Sequence, residues 1–163
     1  MWLSDLKIVT PDGVIERGAV RLTDGVIAEI VSGDAPGDAL HLPGLTAVPG
    51  LIDLHGDMLE RDIQPRPSAF FPTELALYEL DKRLAGAGIT TAYAAVGFAW
   101  TKNDLRTQEK ATEIIHTIAA RRSGLNIDLR VHARFEIGNP ETAPILERLL
   151  DEGVIDLVSV MDH

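Results

Sequence analysis

The chain has 163 residues, 45% of them hydrophobic and 25% charged, with a formal net charge of −10 and no cysteine. That length fits one domain of ordinary size, and the acidic balance argues against non-specific binding to nucleic acid or anionic lipid. Without cysteine there are no disulfides or thiolate ligands, so any metal must rest on His, Asp or Glu. No apolar run approaches the ~20 residues of a membrane span. Met1-Trp2-Leu3-Ser4-Asp5 also lacks the basic start and apolar core of a signal peptide, so a cytoplasmic location is the default expectation.

Residues 1–48 read as short strands separated by turns: Asp5 to Val9, Gly18 to Leu22, Val26 to Val31 and Leu45 to Val48. Asp24-Gly25 between two alternating apolar runs is a hairpin signal. This segment is expected to be a small β module, followed by a main domain over residues 49–163.

The main domain opens on Val48-Pro49-Gly50-Leu51-Ile52-Asp53-Leu54-His55-Gly56-Asp57, an apolar strand that ends in closely spaced polar groups. Alternation would put Leu51, Asp53, His55 and Asp57 on one face. Residues 59–72 carry Pro65, Pro67 and Pro72, which preclude a regular element over most of that length and suggest an active-site loop. A helix should follow from Pro72 to Gly86, with Leu77, Leu80 and Leu84 at helical spacing, and then a strand from Ile89 to Val96. Asp104 to Arg122 is the clearest helix, with Ala111, Ile114, Ile115 and Ile118 on one stripe. A third strand spans Leu129 to Glu136, a helix begins at Asn139-Pro140 and stops at Gly153, and a fourth strand runs from Ile155 to Met161. Alternating strands and helices predict βαβ units with a parallel sheet, an α/β class. The absence of a Gly-x-Gly-x-x-Gly or phosphate-loop signature argues against a dinucleotide fold.

In the third strand Arg130, His132, Arg134 and Glu136 share a face, and in the fourth Leu157, Ser159, Met161 and His163 do. His55 with Asp57, then Glu136, then His163 thus fall at the C-terminal ends of three strands, where barrels of this class build their sites. Imidazole and carboxylate together suit zinc or a similar divalent ion, so these four are candidate ligands. A salt bridge from Glu136 to Arg134 or Arg130 is the alternative for that residue. Asp53 is read as a group orienting a ligating His. His132, half a strand below the rim, is read as an interior side chain, and His41 and His116 as surface residues. Glu60, Arg61 and Arg66 follow the ligands as solvated charges or as substrate contacts, with Arg66 between two prolines suited to clamp a phosphate.

Val48-Pro49-Gly50-Leu51-Ile52-Asp53-Leu54-His55 resembles the first-strand motif of the amidohydrolase superfamily, Pro-Gly-Leu-Ile-Asp-x-His-x-His, with Asp57 in place of the second His. With Leu59-Glu60-Arg61, Pro65-Arg66-Pro67, Gly88-Ile89-Thr90-Thr91 and Ser159-Val160-Met161-Asp162-His163, the chain resembles a phosphonate-metabolism branch of that superfamily. Asp62 stands where that family often has a His. The resemblance implies a (β/α)₈ TIM-type barrel preceded by flanking strands. A complete barrel takes about 250 residues, so this chain is expected to hold about four βα units, half a barrel and a truncated or fragmentary enzyme.

The implied function is metal-dependent cleavage of a small phosphorylated sugar, a ribosyl 1-methylphosphonate 5-triphosphate, to the 5-phosphate and pyrophosphate. One or two divalent ions are expected, zinc first and manganese or iron as alternatives, on His55, Asp57, Glu136 and His163. Asp57 and Glu136 would be catalytic, and Arg66, Arg61 and Glu60 would contact substrate. A homo-oligomer or a complementing barrel half is the expected partner, with no nucleic acid and no membrane. The rival readings are an amidohydrolase acting on a cyclic amide or amine, and an inactive fragment serving as an interaction module.

Overall fold

The computed structural model describes residues 1–98 and 105–162. Two compact units appear, Met1–Pro49 and Gly50–His163.

The first unit is a sheet built on β1 (Trp2–Thr10), β2 (Gly13–Thr23) and β3 (Val26–Ser32), which run antiparallel in the order β3-β2-β1. On the other edge of β1, β4 (Ala39–His41) and β5 (Thr46–Ala47) pair in parallel, one after the other. Asp24 and Gly25 both adopt positive φ, 52° and 78°, as the two-residue hairpin turn between twisted strands requires. Leu6, Ile8 and Val20 form a small core of their own. His41 is a surface residue as expected: its side chain is 70% exposed and its Nδ1 lies 2.6 Å from Asp5 Oδ2.

The second unit is a parallel four-stranded sheet in the order β6-β7-β8-β9, formed by Leu51–Gly56, Ile89–Gly97, Asp128–Glu136 and Leu157–Met161. Helices α2 (Thr73–Gly86), α3 (Gln108–Arg121) and α4 (Ala143–Asp151) connect successive strands, so each crossover is a βαβ unit. The sheet is curled, as in one half of a barrel. Its helix-facing side is the core. Ala92, Ala94 and Val96 of β7 and Leu129, Val131 and Ala133 of β8 pack with Leu77, Leu80 and Leu84, Ile114, Ile115 and Ile118, and Leu146 and Leu149 of the three helices. The alanines of β7 leave room for the bulky helix residues, and on β8 the opposite face carries Arg130, His132, Arg134 and Glu136.

Several local expectations change in detail. Residues 58–63 form a helix of their own, α1 (Met58–Ile63), so the proline-rich loop begins only at Gln64. Leu59 and Ile63 bury against the sheet and outweigh the nearby prolines, which all lie beyond the helix. Helix α3 begins at Gln108, where Thr107 accepts from the Lys110 N–H at 3.2 Å. Asp104, where the sequence suggests its start, lies outside the described residues. Asn139 does not cap with its side chain; a short 3₁₀ turn, Pro140–Thr142, precedes α4.

Two connections fix β8 and β9 in depth. The Asp81 carboxylate, 2% exposed, accepts from Asn126 N, Asn126 Nδ2 and Ile127 N at 2.9, 2.6 and 3.1 Å, tying α2 to the segment that enters β8. Asp156 accepts from Val131 N at 2.8 Å and pairs with Arg122 at 2.6 Å, which seats the start of β9.

Candidate active site

The Pro-Gly sequence before β6 has a steric cause. A Cβ on Gly50 would stand 2.0 Å from Thr90 Oγ1 and 2.7 Å from Thr90 Cβ, so β6 enters the sheet beside β7 only with glycine there. Further along, β6 is irregular. Its register against β7 shifts between Leu51 and Ile52 and again between Asp53 and Gly56. Strict alternation therefore fails, and Asp53 and His55 do not share a face. Asp53 lines a small void with Leu80, Leu84, Ala92 and Leu129 on the helix side of the sheet. It still orients His55, by accepting from the His55 backbone N–H at 3.1 Å rather than from the imidazole. Gly56 leaves room for this carboxylate, since a Cβ there would stand 3.3 Å from Asp53 Oδ2.

The bulge turns the His55 ring onto the polar face. Its Nδ1 lies 3.3 Å from Nδ1 of His132 on β8, the rings meeting edge to face with centroids 5.0 Å apart. His132 Nε2 lies in turn 2.8 Å from Ser159 Oγ on β9. His132 is 5% exposed, and burial first, then the charges of His55 and Arg134, hold its pKa below the ordinary imidazole value. It is neutral at physiological pH. A buried neutral imidazole between another imidazole and a hydroxyl orients its neighbours. The sequence alone, by depth along the strand, gives His132 no such part.

Asp57 completes the group. It stands at the N-cap of α1 without capping through its side chain. Its carboxylate has Oδ2 3.5 Å from His55 Nε2 and accepts from Arg134 Nη1 at 3.2 Å through Oδ1. The structure thus gathers His55, Asp57, His132, Arg134 and Ser159 from β6, the start of α1, β8 and β9.

The other predicted residues fall as follows. Glu136 ends β8, half-buried and opposite Met161. Glu60 is not a solvated charge. Its side chain is 12% exposed and forms a two-pronged pair with Arg106, whose Nε and Nη2 lie 3.1 and 2.9 Å from Oε2. Arg61 and Arg66 are exposed. Asp62, 19% exposed, takes both prongs of Arg83. His163 lies outside the described residues.

These residues partly fit a divalent ion. Two donors of one tetrahedral ion, bonded at 2.0–2.2 Å, stand about 3.4 Å apart. The 3.5 Å between His55 Nε2 and Asp57 Oδ2 matches that spacing. Among the described residues no group of three or more His, Cys, Asp or Glu is arranged to hold an ion, so the described residues offer a pair.

Over its whole length the chain is 29% identical to the alpha-D-ribose 1-methylphosphonate 5-triphosphate diphosphatase of Escherichia coli (strain K12), of which it covers 44%. Its fold matches an N-acetyl-D-glucosamine-6-phosphate deacetylase from Mycobacterium smegmatis, with TM-score 0.66, 19% identity and coverage of 98% of this chain and 43% of that one. It also matches an amidohydrolase from Brucella melitensis, with TM-score 0.62, 15% identity and coverage of 98% and 51%. By sequence the chain is similar to that diphosphatase, and by fold to these two proteins. No family model matches it. The chain spans less than half the length of the diphosphatase and about half that of the structural neighbours. Among the described residues no helix is long and apolar enough to cross a membrane.

Proposed function

We propose that this chain carries the first part of the active site of a metal-dependent hydrolase that cleaves a ribosyl 1-methylphosphonate 5-triphosphate to the 5-phosphate and pyrophosphate. The observation that carries the metal reading is the approach of His55 Nε2 and Asp57 Oδ2 to 3.5 Å at the C-terminal end of β6. The choice of substrate rests on the sequence relationship to the Escherichia coli diphosphatase. His55 and Asp57 would hold the ion, with Glu136 and His163 as further ligands. A divalent ion held there, zinc in the first instance, would lower the pKa of a water and polarise a phosphoryl oxygen.

The chain's own residues supply orientation and charge. Asp53 fixes the His55 backbone, His132 packs against the His55 ring under Ser159, and Arg134 holds Asp57 by its other oxygen. Exposed Arg61 and Arg66 would neutralise substrate phosphates, since phosphoryl transfer depends mainly on positioning and electrostatics.

A second reading, hydrolysis of an amide, is favoured by the fold shared with a sugar-phosphate deacetylase. Incubating the purified chain with zinc or manganese and each substrate class, and following pyrophosphate release by phosphorus NMR beside amide cleavage, separates the two. Pyrophosphate release that is lost in His55→Ala supports the first reading. Amide cleavage alone supports the second, and neither product refutes both.

A further inference from the structure

Arginines in this chain are, as a rule, well matched to carboxylates. Arg83 holds Asp62 with both terminal nitrogens, Arg106 holds Glu60 with two, and Arg122 holds Asp156 with two. Their side chains are 55%, 41% and 31% exposed. The Nε of Arg122 is buried without a partner among the described residues, but both of its terminal nitrogens are taken by Asp156.

Arg134 breaks the pattern. Its side chain is only 12% exposed, yet among the described residues it makes a single hydrogen bond, of 3.2 Å from Nη1 to Asp57, so that neither its buried Nε nor its Nη2 has an acceptor there. A guanidinium carries five N–H donors, and taking it out of water costs several kcal/mol unless they are matched. One half-exposed carboxylate is a poor match.

The surroundings are shaped to hold it there. Arg134 lies opposite Gly97 in the β7–β8 ladder, and a Cβ on Gly97 would stand 3.0 Å from Arg134 Nη2 and 3.5 Å from Nε. The glycine leaves space for the planar head to lie across the strand. Arg134 also shares its strand face with His132, whose ring meets His55, so the guanidinium and the imidazoles form one wall.

We propose that Arg134 is the anion-recognising residue of this site, taking a phosphoryl oxygen of the substrate through donors left over from Asp57. The substrate class rests on the reading given under Proposed function. Planar forked donors suit phosphate better than an ammonium does, and the match improves when a second anion joins Asp57 beside the buried charge. Arg61 and Arg66, exposed and with no side-chain hydrogen bond or ion pair among the described residues, are secondary to it.

The test is calorimetric titration of the full 163-residue chain with inorganic pyrophosphate, and separately with zinc. Arg134→Gln is expected to weaken pyrophosphate binding about ten- to a hundredfold, and Arg134→Lys to recover part of it. Gly97→Ala keeps every charge but pushes the guanidinium aside, and should weaken binding several-fold; it serves as the check if Arg134→Gln fails to fold. Arg61→Ala and Arg66→Ala should each cost less than Arg134→Gln. No pyrophosphate binding by the parent chain, or equal binding by the parent, Arg134→Gln and Gly97→Ala, overturns the proposal. Zinc uptake is read independently. Loss of zinc uptake with pyrophosphate binding still dependent on Arg134 would remove the metal reading and leave the anion site standing. Zinc uptake intact with no dependence on Arg134 would do the reverse.

Discussion

Replacing Asp81 by alanine tests whether the strand bearing His132 and Arg134 is positioned from outside the sheet. The carboxylate accepts from two backbone N–H groups, Asn126 and Ile127, and from the Asn126 amide, all within 3.1 Å. Alanine leaves the Ile127 N–H buried without a partner, at about 1–3 kcal/mol, and loses two bonds nearer the surface at about 0.5–1.5 kcal/mol each. The expected loss is about 2–6 kcal/mol, a large share of the ~5–15 kcal/mol typical of a folded domain. Asp81→Asn should cost far less, about 1 kcal/mol, because its oxygen still faces the Ile127 N–H and the Asn126 amide can turn to accept from the new NH2. Urea unfolding followed by circular dichroism gives both values, with unchanged slope indicating that only stability has moved. A loss below about 0.5 kcal/mol for Asp81→Ala, or equal losses for the two variants, would refute this account of how β8 is seated.

His132 makes stability depend on pH. Its folded-state pKa is lowered, so between that value and the ordinary one near 6.5 the unfolded chain binds the extra proton and the folded chain does not. The contribution is present in full above about pH 6.5 and is lost as pH falls through this window. The urea midpoint of the parent should therefore drop more between about pH 7.5 and about pH 5.5 than that of His132→Asn, and parallel profiles would contradict the assignment. Gly50→Ala should cost about 1–3 kcal/mol from overlap with Thr90. The penalty should shrink in a Thr90→Gly background, and an equal penalty there would place the strain elsewhere.

The sequence shows the fold more readily than the site. Glycine-bounded apolar runs mark β6 to β9 because parallel strands bury their helix-facing side chains between two layers. On β8 the alternation also separates Leu129, Val131 and Ala133 from Arg130, His132, Arg134 and Glu136. On β6 the same rule fails, because the register shifts near Gly56 are set by packing against β7 and by Asp53 turning to the His55 N–H. The partners of Glu60 and Asp57 were equally hidden. Arg106 is 46 residues from Glu60 and Arg134 is 77 from Asp57, and only the packing of the βαβ units brings them together. His132 illustrates the limit best. Position along the strand marks it as interior, but its contacts with His55 and Ser159 depend on three strands aligning at one level.

Zinc titration of the parent chain beside His55→Ala and Asp57→Asn bears most directly on the central claim, that the end of β6 holds a catalytic metal. The parent should take up zinc, and each variant should bind it at least about tenfold more weakly while unfolding at a urea midpoint close to the parent's. No uptake by the parent, or uptake unchanged in both variants, would contradict it.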